Sequence, residues 1–232
     1  MPSNPLIMLH GALGSQAQLA ALKKQLASQY EVYSLDFEGH GDNRSNGKFS
    51  MDVFAQNVIS FMGEKDLSKT HIFGYSMGGY VALQLALLRP DLVDKVVTYG
   101  TKFDWQPETA AREVKMLNPE VIQEKVPKFA AHLEAVHGAE NWKAVLKKTA
   151  DMMIGLGNKP PLNADTLTQI HQQVLIGIGT NDNMVSVAES ETTVASLKNG
   201  TLLPLEGFVH PIERNDSVVL AKVIDTYLRV RN

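Results

Sequence analysis

The stretch Gly74-Tyr75-Ser76-Met77-Gly78-Gly79 constrains this chain more than any other. It has the form G-x-S-x-G, follows the apolar pair Ile72 and Phe73, and opens an amphipathic run through Tyr80, Val81, Leu83, Leu85, Leu87 and Leu88. That order predicts a strand over 70–74, a sharp turn, and a helix over 77–89. A serine in such a turn is lifted clear of the sheet, with its hydroxyl exposed beside backbone N–H groups. Gly74 and Gly78 suit the turn because side chains there would collide with neighbouring backbone. A serine hydroxyl is a weak nucleophile until a base and an orienting acid activate it. Without such partners Ser76 reads as an ordinary helix N-cap.

Two candidate partners follow in order. Asp182 lies in Gly179-Thr180-Asn181-Asp182-Asn183-Met184-Val185, just after the apolar run Val174-Leu175-Ile176-Gly177-Ile178. His210 lies in Gly207-Phe208-Val209-His210-Pro211, after Leu202, Leu203 and Leu205. Each follows an expected strand (173–179 and 200–205), and in an open α/β sheet sites form beyond the carboxyl ends of strands. Taken singly, Asp182 is a turn aspartate and His210 a loop histidine; the order Ser76, Asp182, His210 makes them candidate acid and base. Near the N-terminus a further apolar run, Leu6-Ile7-Met8-Leu9, leads into His10-Gly11-Ala12-Leu13-Gly14-Ser15.

The rest of the chain alternates expected strands and helices. Strands are also expected around 31–36 and over 93–99, and helices over 16–28, 52–64, 164–172, 186–198 and 212–229. Residues 102–163 break this rhythm with three helical patterns, over 107–117, 119–136 and 140–154. Pro127 is placed to kink the second, and Gly155 to Pro161 reads as a linker.

Together these elements resemble the α/β-hydrolase family over nearly the whole chain, in its single-domain form with a helical cap. The resemblance implies an α/β fold with a mostly parallel sheet of about six strands and helices on both faces. Its core would span 1–101 and 164–232, with a cap over 102–163. The first strand opens at residue 6, so the leading β-hairpin of many relatives is not expected. The resemblance further implies Ser76 as nucleophile, His210 as base and Asp182 as orienting acid, with the N–H groups of Ala12 and Met77 as oxyanion donors and no metal or cofactor. Some relatives take their acid from the end of the preceding strand, which makes Asp104 the rival of Asp182. Two departures stand out. In the loop from Phe37 to Ser45, similar to the family's D-x-x-G-x-G-x-S turn, Ser45 is displaced by Asn43 and Arg44. Glu213 comes three residues after His210, where relatives often place a glutamate two positions later.

Other candidates divide between pocket and packing. Leu13 and Met77 have neighbours fixed by the motifs and are the better substrate-binding candidates. Phe103, Trp105, Met116, Phe129, Met152 and Met153 either line an apolar acyl pocket or form the core of the cap. His10 is expected to shape its loop, and His40 to face the site or serve a turn. His71, His132, His137 and His171 read as surface or packing residues. Asp36 and Asp42 are expected to satisfy loop backbone.

Composition narrows the function. The 232 residues suffice for a sizeable core, and the net charge of −3 comes from interspersed acids and bases. There is no basic stripe to hold nucleic acid. The absence of cysteine excludes disulfides, a cysteine nucleophile and thiolate metal ligands. No apolar run is long enough for a signal or membrane segment. The expectation is a cytoplasmic protein acting on a small molecule, as a monomer or, through an unpaired sheet edge, a homodimer. The leading function is a serine hydrolase of a small, largely apolar carboxylic ester. The alternatives are a thioesterase, a C–C bond hydrolase or a lyase using the same three residues, or a ligand receptor built on the fold. Haloalkane dehalogenation and epoxide opening, which use an aspartate at this turn, are disfavoured.

Overall fold

The computed structural model describes residues 3–230. Its strands are β1 (Ser3–Leu9), β2 (Tyr30–Ser34), β3 (Thr70–Tyr75), β4 (Val93–Tyr99), β5 (Gln173–Gly179) and β6 (Gly200–Leu205). They form one sheet in the order β2-β1-β3-β4-β5-β6, with every neighbouring pair parallel. The helices are α1 (Ala20–Leu26), α2 (Met51–Glu64), α3 (Met77–Leu88), α4 (Pro107–Glu113), α5 (Pro119–Lys125), α6 (Pro127–His137), α7 (Trp142–Asn158), α8 (Ala164–Leu167), α9 (Val187–Ser196) and α10 (Ser217–Arg229). Among the described residues no helix is long and apolar enough to cross a membrane.

A parallel sheet is buried on both faces, and β1 shows how. Leu6 and Met8 point into a core shared with α1 and α10, while Ile7 and Leu9 join a second core with α2 and α3. The chain leaves β1 toward β2 on one side and returns to β3 on the other. That reversal opens a crevice beyond the ends of β1 and β3, where a ligand site is expected. The helix after β3 is not amphipathic, as its sequence pattern suggested. Every residue of α3 from Met77 to Ala86 is buried, because α2 and the helices inserted after β4 cover the face that would otherwise be wet.

That insertion comprises α4 to α7, lying between β4 and β5. Pro107, Pro119 and Pro127 each open a helix at its first turn, where a missing N–H costs nothing. The expected helix 119–136 is therefore broken at Pro127 rather than kinked. The expected helix 107–117 tightens into a 3₁₀ turn over Val114–Leu117. The linker expected from Gly155 is helical through Asn158. A Cβ on Gly157 would stand 2.6 Å from the Ala110 side chain and 2.9 Å from the Gln106 carbonyl, so this glycine sets the close approach of α7 to α4. Elsewhere the expected helix 16–28 begins as a 3₁₀ turn, Gln16–Leu19. Helix 164–172 is reduced to α8, and the last helix starts only after Asp216, whose carboxylate accepts the N–H groups of Val218 and Val219.

The insertion meets the core through His137, the last residue of α6. Its Nδ1 accepts the Gly41 N–H at 3.1 Å and its Nε2–H donates to the Leu13 carbonyl at 3.0 Å. His40 lies against it, and His10 against His40, with ring centroids 5.6 and 5.2 Å apart. His10 Nε2 accepts the Phe37 N–H at 3.2 Å while its Nδ1–H donates to the Gly11 carbonyl at 2.8 Å. A ring nitrogen that accepts an N–H is unprotonated, so His10 and His137 are neutral. Burial drives all three pKa values down, His10 to about 4, with the Gly11 carbonyl opposing the shift at His10 and the Leu13 carbonyl at His137. His40 is buried against Phe49 and Phe54, and His137, of the two expected roles at the surface or in packing, takes the buried one, as a bridge between two loops and the insertion.

Two consequences are measurable. Gly157→Val is expected to cost about 1–3 kcal/mol by overpacking α7 against α4. Gly155→Ala, with nothing within 4 Å of the added carbon, should stabilise by about 0.5–1 kcal/mol; chemical denaturation should read opposite signs two residues apart. The buried histidines make stability pH-dependent. A group whose folded pKa lies below its unfolded one contributes stability that is full above the unfolded value, about 6.5, and lost as pH falls. For His10 alone the loss between about pH 7 and about pH 5, above the carboxylate range, is about 2 kcal/mol. Denaturation midpoints that stay flat over that interval would show these rings protonated in the fold.

Candidate active site

Ser76 joins β3 to α3 with φ +51° and ψ −118°, a backbone conformation that non-glycine residues rarely adopt. Its N–H donates to the Tyr99 carbonyl at 2.8 Å, and its carbonyl accepts the Thr101 hydroxyl and the Gly79 N–H, each at 3.0 Å. A Cβ on Gly74 would collide with the Gly78 and Gly79 backbone, and one on Gly78 with the Leu9 and His10 carbonyls. The Ser76 hydroxyl makes no capping bond to α3. Its Oγ lies instead 3.3 Å from His210 Nε2.

His210 and Asp182 stand on the loops after β6 and β5. His210 Nδ1–H donates to Asp182 Oδ2 at 2.8 Å. A carboxylate only accepts, so this bond fixes the tautomer and leaves Nε2 to accept from the Ser76 hydroxyl. Asp182 Oδ1 accepts the N–H groups of Met184 and Val185 at 2.8 and 2.9 Å. Burial opposes ionisation of Asp182, but the His210 imidazole and those two amides outweigh it and hold the carboxyl below its usual range. Asp104 is exposed, and its carboxylate accepts from Gln106 Nε2 at 3.3 Å; among the described residues it does not contact His210.

The His210 loop is clamped by a residue that sequence reasoning missed. Asn215 accepts the Val209 N–H at 2.9 Å and donates to the Val209 carbonyl at 2.8 Å, the Pro211 carbonyl at 3.1 Å and Tyr99 Oη at 3.1 Å. Tyr99 Oη–H also donates to the Val209 carbonyl at 2.6 Å. Asn215 stands where relatives were expected to carry a glutamate, and that position was its only signal. Glu213 serves elsewhere: it accepts from Gln18 Nε2 at 2.7 Å, while Gln18 Oε1 accepts the Gly11 N–H at 3.1 Å.

The loop after β1 faces Ser76. Leu13 has φ +59°, and its carbonyl is held by His137. Among the described residues, the N–H groups of Ala12 and Met77 have no hydrogen-bond partner. Both residues line a cavity of about 870 Å³ together with Ser76 and His210. The insertion contributes Trp105, Met116, Phe129, Met152 and Met153 to its lining, beside Leu13 and Met77. Phe103 lies in the core instead. Pro211, Ile212 and Glu213 line the cavity as well, together with residues of α1 and α10. Lys102, Glu113 and His132 also line the cavity, and no local pattern in the sequence marked them. Among the described residues no cluster of three or more His, Cys, Asp or Glu is arranged to hold a metal ion. The arrangement can remove a proton from a serine hydroxyl beside two free backbone donors, the requirements of acyl transfer.

Comparison with known proteins agrees with this fold. A family profile describing the alpha/beta hydrolase fold matches residues 4–184. A Haemophilus influenzae protein named as a candidate esterase/lipase is 23% identical over 93% of this chain and 80% of its own length. The pimeloyl-[acyl-carrier protein] methyl ester esterase of Klebsiella pneumoniae is 32% identical over 54% of this chain and 51% of its own length. Among solved structures, a thermophilic esterase from Thermogutta terrifontis superposes with a TM-score of 0.80 at 17% identity, covering 98% of this chain and 90% of that one. This chain belongs to the α/β-hydrolase fold family.

Proposed function

We propose that this esterase-like α/β-hydrolase cleaves small, largely apolar carboxylic esters through an acyl-enzyme on Ser76. The observation that carries the reading is the continuous contact from Ser76 Oγ to His210 Nε2 at 3.3 Å and from His210 Nδ1 to Asp182 Oδ2 at 2.8 Å. Ser76 attacks the ester carbonyl while His210 takes its proton. Asp182 orients the imidazole and stabilises the imidazolium. The developing oxyanion is held by the N–H groups of Ala12 and Met77, and one such donor is worth about 3 kcal/mol of barrier. His210 then protonates the departing alcohol, and water repeats the sequence to release the acid. The inserted helices act as a cap, and the apolar residues they place in the cavity favour an acyl chain over a charged group.

Hydrolysis of p-nitrophenyl butyrate and labelling by a fluorophosphonate are expected for the wild type and lost in Ser76→Ala. Asp182→Asn should lower kcat by about 10³–10⁴-fold, because the imidazole loses the partner that sets its tautomer. A wild-type protein that neither turns over any ester of the series nor takes the label overturns the proposal. Labelling without ester turnover would move the reading to a thioester or C–C substrate.

A further inference from the structure

On the side of the insertion the cavity is lined by apolar residues and by three ionisable ones, Lys102, Glu113 and His132, of which Lys102 and Glu113 form a pair. Lys102 follows Thr101, whose hydroxyl holds the Ser76 carbonyl, and Glu113 ends α4. Lys102 Nζ lies 3.9 Å from Glu113 Oε1 and 3.7 Å from Glu189 Oε2, with side-chain exposures of 13%, 9% and 12%. Glu189 stands behind the wall, and its Oε1 accepts the Phe103 and Asp104 N–H groups at 2.7 and 2.9 Å. Among the described residues neither Lys102 Nζ nor the Glu113 carboxylate makes a hydrogen bond, and Glu113's other ionic neighbour is the exposed Arg112 at 3.8 Å. The cavity therefore presents an ammonium donor beside a carboxylate acceptor.

The spacing is informative. At 3.9 Å the two groups are too far apart for a direct hydrogen bond, whereas one oxygen about 2.8 Å from each can bridge them. A hydroxyl is the group that does this, accepting from the ammonium and donating to the carboxylate. A carboxylate would meet Glu113, and a cation would meet Lys102. An ion pair withdrawn from water is weak support for stability and is more readily explained by specificity.

Resting on the esterase reading above, we propose that the Lys102–Glu113 pair is a subsite for a hydroxyl group on the acyl chain of the substrate. In this arrangement the alcohol lies toward Pro211 and Ile212, which follow His210, and the acyl chain toward Lys102 and Glu113; both groups of residues line the cavity.

Binding tests this apart from turnover. In Ser76→Ala protein, dissociation constants are measured by calorimetry for ethyl butanoate, hexanoate and octanoate beside their 3-hydroxy and terminally hydroxylated counterparts. One hydroxyl position is expected to bind about five- to tenfold more tightly than the plain ester, through hydrogen bonds to charged groups. That preference is expected to disappear in Ser76→Ala/Glu113→Leu, which retains the Lys102–Glu189 pair, and in Ser76→Ala/Lys102→Met if that protein folds. Plain esters binding as tightly at every chain length, or a preference that survives Glu113→Leu, overturns the subsite. Failure of the esterase reading shows separately, as absent turnover and absent fluorophosphonate labelling in the wild type.

Discussion

At Ser76 the chain must pass from strand to helix through a backbone conformation that costs about 1–3 kcal/mol for a residue with a side chain. The molecule maintains it by over-determination. The Ser76 N–H extends the hydrogen bonding of the central sheet by one residue, to the Tyr99 carbonyl, and the Ser76 carbonyl is fastened by the Thr101 hydroxyl. Gly74 and Gly78 admit the backbone contacts of the turn. The same turn leaves the Met77 N–H as a free donor in the first turn of α3, where a helix N-terminus favours negative charge. Strain at Ser76, a hydroxyl turned to His210 and a free amide at the start of α3 are three results of one backbone choice.

The other residues of the candidate site reach Ser76 from separate loops, each with its own brace. Asp182 is tied by the amides of Met184 and Val185, and His210 by Asn215. Tyr99 connects the braces, since its carbonyl holds Ser76 while its hydroxyl holds the His210 loop. Gln18 makes a second connection, from Gly11 beneath Ala12 to Glu213 beyond His210. A site assembled from loops retains its geometry when each loop is locked by neighbouring hydrogen bonds, and here two residues lock more than one loop at once.

Much of this was legible in the sequence because the signals are local. The six strands and the helix after the G-x-S-x-G turn are legible in this way, as are the helix starts at Pro107 and Pro119, whereas Pro127 reads as a kink and instead opens a helix of its own. What was misread depends on distant partners. Gly155 and Gly157 look like a linker, yet Gly157 is a contact made by two helices whose sequences lie nearly fifty residues apart. His137 resembles any surface histidine until Leu13 and Gly41 are brought to it across the fold. Lys102 and Glu113 belong to a balanced scatter of charges, and only the fold withdraws them from water beside a cavity. The polar character of α3 was misjudged because its last uncovered face is closed by the insertion, a segment that follows it in the chain.

The insertion has two physically different relations to the cavity. Met116, Met152 and Met153 contribute flexible thioether side chains that adapt to shape, so they select weakly among apolar groups of similar volume. Lys102 and Glu113 are held by charge, with Glu189 anchoring the lysine from the core side and α4 carrying the glutamate. Lys102 is also one residue from Thr101, which fastens the strained turn. A rearrangement of the insertion that displaced α4 would therefore disturb the ion pair before it disturbed Ser76, because the turn is braced by Tyr99 and Thr101 while the ion pair depends on Glu113 of α4. The ion pair can thus be altered through α4 while the geometry around Ser76 stays in place.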